Sequence, residues 1–399
     1  MRVLNDDAVV IEKGKKPGDP YMITVNCPDK TGLGCDICHT ILEFGLYITK
    51  GDLSTDGKWC YVVLWVIPRE SDVMWMNLRE RLLSVCPSTV PTFYLPKPCP
   101  SPSPIYLLKF CALDREGLLH DVTRVLLQLE LTIERVKVST TPDGHVLDLF
   151  FIQDDLGLLH KACRQEQTCE RLRSVLGESC IISCEIQQYG TLHHSSISPS
   201  VAHQLFTLCS EFNTSNHNTL LQIDNTLSPA HTLLQISCVD SKGFLYDIMR
   251  TLKDYNIQIS YGRLSHSTTS HAHRDLDLFI QHADGNKVVD PQKHQALCSR
   301  LNTELLHPLR VLITTRGPDT ELFVANPVEL CGRGRPRVFY DVTFALKTLG
   351  ICIFLAEITR HTAAEREWEV YRFLLDESCT LKLSTKQIVN KVRRTLMGW

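Results

Sequence analysis

The chain has 399 residues, of which 43% are hydrophobic and 22% charged, with a formal net charge of -3. That is the profile of a globular protein of about two to four domains, and it excludes an overall basic field for nucleic acid or anionic lipid. No basic-then-apolar signal pattern opens the sequence at Met1–Asp7, and the strongest apolar run, Tyr61–Ile67, is too short to span a bilayer. The 17 cysteines are scattered through apolar positions, so they read as reduced, mostly buried thiols of an intracellular protein, in cytoplasm or nucleus.

In chain order, Ala8–Ile11 predicts a short leading strand and Tyr21–Asn26 a first full strand. A loop and helix follow, opening Cys27-Pro-Asp-Lys-Thr-Gly-Leu-Gly-Cys-Asp-Ile37. A hairpin turn at Asp56-Gly57 leads into the strand Lys58–Val66, then a helix at 72–86 and a strand at Thr92–Leu95. The Pro-rich Leu95–Pro104 reads as an extended tether.

The pattern then recurs. Tyr106–Phe110 precedes Ala112-Leu-Asp-Arg-Glu-Gly-Leu-Leu-His-Asp-Val122, and His231–Ser237 precedes Cys238-Val-Asp-Ser-Lys-Gly-Phe-Leu-Tyr-Asp-Ile248. Each loop has Asp, Gly three residues later, and a second Asp four residues after that. Glu321–Ala325 precedes a fourth copy that keeps only the later half, Arg337–Val342. An Ile stands 12 residues after the second Asp in every copy: Ile48, Ile133, Ile259 and Ile353 after Asp36, Asp121, Asp247 and Asp341. Such constant register is the mark of a structural repeat.

The implied fold is α+β, with four tandem ferredoxin-like βαββαβ modules. They span residues 21–96 (leading strand about 8–11), 106–188, 220–316 with its own leading strand Leu220–Ile223, and 320–399. Residues 189–219 form a linker with one helix predicted at Pro199–Phe212. Arg310–Thr315 reads as the last strand of module 3. Module 4 has no strand after its second helix, which predicts an open sheet edge. The two leading strands suggest tandem pairing, module one with two and three with four.

These loops resemble the opening of ACT domains, small regulatory modules of amino-acid-metabolic enzymes. Ile223-Asp-Asn through Gly243 is similar to the ACT units of the bacterial uridylyltransferase that senses glutamine. The whole chain resembles plant ACT-domain-repeat proteins, which carry four modules and no catalytic domain. The resemblance implies a non-enzymatic regulator that takes a free amino acid, glutamine among the candidates, at module interfaces. It also implies a protein partner or self-association through module pairing.

The loop chemistry agrees with that implication. A loop ending at a helix N-terminus offers N–H groups to a carboxylate. Asp29, Asp114 and Asp240 are candidates to hold an ammonium group. Gly32, Gly117 and Gly243 present backbone, and Leu33, Leu118 and Phe244 supply apolar walls. The structural alternative is that the aspartates only cap helices or complement the helix dipole. Module 4 carries Glu329–Arg337 in place of the loop. Its Gly332-Arg-Gly-Arg-Pro336 resembles an AT-hook core, but nucleic acid is not expected from one copy in an acidic chain.

No catalytic residue, metal site or cofactor is expected. Cys35-Asp-Ile-Cys38-His39 matches a haem-attachment pattern, yet its cysteines occupy ordinary repeat positions. His266, His271, His273, His193 and His194 lack ligand spacing. The alternatives to a sensor are a ligand-free interaction scaffold and a nucleic-acid-linked regulator acting through residues 332–337.

Overall fold

The computed structural model describes residues 8–16, 18–69, 73–87, 104–141, 143–154, 156–177, 180–190, 197–207, 219–267, 273–316, 319–330, 332, 334–363, 366–375 and 383–398. Module 1 comprises β1 (Val9–Glu12), β2 (Tyr21–Pro28), α1 (Leu33–Glu43), β3 (Leu46–Thr55), β4 (Trp59–Pro68) and α2 (Trp75–Val85). Module 2 comprises β5 (Ile105–Leu113), α3 (Leu118–Gln128), β6 (Leu131–Thr140), β7 (His145–Asp154), α4 (Ala162–Leu176) and β8 (Ile181–Tyr189). The linker helix α5 (Pro199–Thr207) follows. Module 3 has β9 (Leu220–Asp224), β10 (Thr232–Val239), α6 (Phe244–Asp254), β11 (Ile257–His266), β12 (His273–His282) and α7 (Pro291–Leu306). Then come β13 (Arg310–Arg316), β14 (Asp319–Pro327), α8 (Val338–Thr348), β15 (Ile353–Ala363), β16 (Arg366–Leu375) and α9 (Thr385–Met397).

The pairing of modules differs from the tandem expectation. The chain divides into a unit of Met1–Tyr94 with Thr214–Pro308 and a unit of Leu95–Asn213 with Leu309–Gly398. Module 1 therefore pairs with module 3, and module 2 with module 4. In unit 1 the two form one eight-stranded sheet, β1-β2-β4-β3-β11-β12-β10-β9. Its seam is antiparallel, with Gly51–Ser54 of β3 opposite Tyr261–Leu264 of β11. The leading strands β1 and β9 lie at the two far edges, so only β3 and β11 remain to meet. Alternation puts Cys60, Val62, Leu64 and Val66 of β4 inward, beneath the helices, and leaves Trp59 and Tyr61 exposed.

Unit 2 holds two four-stranded sheets, β6-β7-β5-β8 and β13-β14-β16-β15. One apolar core runs through both modules, including Phe110, Val122 and Phe150 of module 2 with Val342, Leu346 and Phe373 of module 4. The sequence predicts β13 as the end of module 3, but it pairs antiparallel with β14 of module 4, from Arg310 opposite Ala325 to Arg316 opposite Asp319. Sequence-adjacent strands joined by a tight connection pair as a hairpin, and that local closure wins. The edge of module 4 predicted to be open is therefore covered. The strand predicted at Thr92–Leu95 lies outside the described residues, and the corresponding sheet position is held by β1. Helix α5 realises the predicted linker helix through Thr207, residues 208–212 lying outside the described set. Its Leu205 packs on Phe323, Trp368 and Val370 of module 4, on the sheet face away from α8.

Candidate ligand site between paired modules

Each intact loop enters its helix through a glycine at φ between 76° and 79°. That left-handed region carries no steric cost for Gly. The N-cap residue of each helix is that glycine, and among the described residues no side-chain cap is made there, which leaves Asp29, Asp114 and Asp240 outside the capping position. The loops are instead tied down by backbone: Asp29 N donates to Lys58 O at 2.8 Å, and Asp114 N to Gly144 O at 2.9 Å. Each bond anchors a loop on the hairpin between the second and third strands of its own module.

In unit 1 the Asp29 loop faces module 3 across a cleft of about 220 Å³. Asp29, Gly32, Leu33, Gly34 and Cys35 line one side, and Met249, Lys253, Gln258 and Ile259 the other. Thr55 and Cys60 also line it. The Thr55 hydroxyl donates to Asp29 Oδ2 at 2.7 Å. Lys253 reaches over from α6 and donates to Asp36 Oδ1 at 3.0 Å, while Lys30 holds Asp36 Oδ2 at 2.7 Å. Two cations thus share one carboxylate beside a helix N-terminus. A Cβ on Gly32 would stand 2.7 Å from Lys253 Cδ and displace that side chain, on a backbone whose φ of 79° itself favours glycine.

Unit 2 repeats the construction. Lys347 of α8 donates to Asp121 Oδ1 at 2.7 Å, and Arg115 holds Asp121 Oδ2 at 2.8 Å. A Cβ on Gly117 would stand 2.6 Å from Lys347 Cδ. Burial works to raise the Asp121 carboxyl, but the bonds from Lys347 and Arg115 outweigh it and hold it below its ordinary value. Beside this contact His120 Nδ1 lies 3.2 Å from Thr343 Oγ1, and burial, then Lys347, push the imidazole down to about 4.

The Asp240 loop is different. Tyr47 of module 1 donates its hydroxyl to Asp240 Oδ2, and the space left there is about 30 Å³. Phe244 lines that remnant, and Asp247 pairs with Arg250 of its own helix at 3.3 Å. The divergent loop of module 4 buries Glu329 and Arg335 and leaves Leu330 exposed. Arg335 is 3% exposed and donates to Leu396 O at 3.2 Å, while Asn326 brackets its backbone at 3.0 and 3.1 Å. A buried Arg335 cannot enter a minor groove, which corrects the AT-hook alternative; Arg333 lies outside the described residues. Arg337 takes the glycine's place at φ 65°.

The sequence reading missed Lys253, Lys347, Tyr47 and Gln258. A register comparison contains them. Six residues after the second Asp stand Leu42, Leu127, Lys253 and Lys347, so the lysine marks modules 3 and 4. Cys35 and Cys38, of the haem-like motif, are buried in α1. Among the described residues no cluster of metal-ligating side chains occurs, and no helix is long and apolar enough to cross a membrane.

Family models match residues 11–87 as the N-terminal part of ACT domain-containing protein ACR10, 220–319 as an ACR9-like, ACT-like domain, and 320–398 as the C-terminal part of ACR9. ACT domain-containing protein ACR9 of Arabidopsis thaliana is 55% identical over 415 aligned residues, covering 100% of both chains. The chain belongs to this family of ACT-domain-repeat proteins. ACR10 of the same plant is 49% identical, again over 100% of both chains. A bifunctional uridylyltransferase/uridylyl-removing enzyme of Gluconobacter oxydans is 26% identical over 224 residues, 53% of this chain and 20% of that enzyme. The four modules are thus ACT modules in interleaved pairs, and the cleft at Asp29 is an ACT–ACT interface.

Proposed function

We propose that the protein is a non-enzymatic amino-acid sensor whose ligand sits in the cleft between the Asp29 loop and α6. The observation that carries this reading is the cleft itself, with opposite charges placed on its two sides. Asp29 accepts from the α-ammonium group, and the α1 N-terminus with Lys253 and Lys30 receives the α-carboxylate. These charges are matched by the zwitterion, which leaves Leu33, Met249, Ile259 and the Gln258 amide for an uncharged side chain. Gly117, Asp114, Leu118 and Lys347 form the corresponding site in unit 2. A ligand touching two modules at once stabilises one packing of the pair, and a partner protein reads that packing.

Calorimetry of the full chain against the twenty amino acids tests the proposal. Binding by at least one, weakened at least tenfold by Asp29→Ala, is the expected result. No binding up to millimolar concentration overturns it. Of the two features that favour a ligand-free scaffold, an open module 4 edge and an altered module 4 loop, the first is removed by the pairing of that edge with β13.

A further inference from the structure

We propose that the Asp240 site is permanently filled by Tyr47, an internal occupant, and that positions 47 and 258 determine which face of the module 1–module 3 interface takes a ligand. This rests on the sensor reading for the open face but is argued from different contacts.

The two faces are related by the repeat. Tyr47 stands 11 residues after Asp36, and Gln258 stands 11 after Asp247. Each projects from the start of one module's edge strand toward the other module's loop. Cys27 lies opposite Cys60 in the β2–β4 ladder, and Cys238 lies opposite Arg274 in the β10–β12 ladder. The open face therefore carries Gln258 and Cys60 where the closed face carries Tyr47 and Arg274.

Those two exchanges fill the space. Arg274, 1% exposed, donates through Nη2 to Ile48 O at 2.9 Å and through Nη1 to Tyr47 Oη at 3.2 Å. Tyr47 in turn donates to Asp240. Arg69 lies 4.7 Å and Arg274 5.7 Å from the centre of the Tyr47 ring. The aspartate that would hold an ammonium group already holds a phenol, with a guanidinium behind it. Burial, and then the bond to Asp240, push the phenol up to about 12, so it stays a donor throughout the physiological range. The chemistry excluded is that of a zwitterion: its ammonium would have to displace Tyr47 from Asp240 and meet Arg274 beyond it. Unit 1 thus takes one ligand, on the Asp29 side.

The test has two arms on the full chain. In the first, L-glutamine and L-leucine are titrated calorimetrically. Gln258→Tyr loses one equivalent relative to wild type and Tyr47→Gln gains one. Unchanged stoichiometry in both variants overturns the assignment. The second arm needs no ligand: phenol ionisation is followed by ultraviolet absorbance after a pH jump, with Tyr47→Phe identifying the group. In the difference between wild type and Tyr47→Phe, from which the equally buried Tyr371 cancels, a phenol still protonated at pH 11 and titrating earlier in Asp240→Asn is expected. A Tyr47 that titrates near 10 refutes the internal occupant. If neither probe binds while Tyr47 resists ionisation, the sensor reading falls for those ligands and the filled site stands.

Discussion

Asp148 lies on β7 at the position where module 1 has Val62 and module 3 has Leu276, the inward partner of the strand that precedes each loop. It is 1% exposed, and its Oδ1 has no hydrogen-bond partner among the described residues. Burial, and then the nearby charge of Asp114, push its carboxyl up to about 8. A carboxyl raised in the folded state binds a proton that the unfolded chain has lost. Its contribution is therefore fully present below about pH 4 and is lost as pH rises through 8. Roughly four pH units at 1.36 kcal/mol each give a penalty on the order of 5 kcal/mol by pH 9. Asp148→Val places the module 1 residue in module 2 and removes that penalty. Urea unfolding of the full chain at pH 5 and pH 9, followed by circular dichroism, measures the difference. The variant should gain stability over wild type by several kcal/mol more at pH 9 than at pH 5. An advantage that does not change with pH would show that Asp148 is ionised in the folded protein and refute the reasoning.

Three further outcomes are expected. His120, depressed from 6.5 to about 4, leaves unit 2 fully stable above pH 6.5 and less stable as pH falls toward 4, by roughly 3 kcal/mol at 1.36 kcal/mol per pH unit. His120→Tyr, the residue type at the matching positions 246 and 340, should flatten that acid loss in a urea series. Gly32→Ala meets both a φ of 79° and the Lys253 chain, so it should cost about 1–2 kcal/mol and weaken ligand binding, checked by thermal shift with and without amino acid. Leu205→Ala should cost roughly 2–4 kcal/mol by undocking α5 from Trp368, read as faster amide exchange in β14 and β16.

The repeat made most of the fold legible. Constant spacing from Asp36, Asp121, Asp247 and Asp341 placed the first helix and second strand of each module, and the apolar runs at Ala8–Ile11 and Leu220–Ile223 marked the leading strands. It could not fix partners, because each module presents a similar edge strand and helix face. What distinguishes them is which edges are already used: β1, β9 and β13 each close one side, and only the structure tells which. The same holds at the site. Asp29, Asp114 and Asp240 share one Asp-x-x-Gly spacing, and the residues that set their sites apart come from another module. Tyr47 reads as an ordinary strand residue until module 3 is placed beside it. Arg335 reads as an exposed loop cation until α9 is seen to need a donor at its end.

The interleaving of modules bears on how the chain is made. Strand β3 waits for β11, roughly two hundred positions downstream, so the seam of unit 1 cannot form while module 2 is leaving the ribosome. Closing so long a loop costs only slowly growing entropy, but the wait exposes a bare strand edge in the interval. Division at the middle of the chain would then release two halves, each holding one member of both pairs. Mixed together, such halves should find each other, and a nick in the linker should be tolerated where a truncation is not.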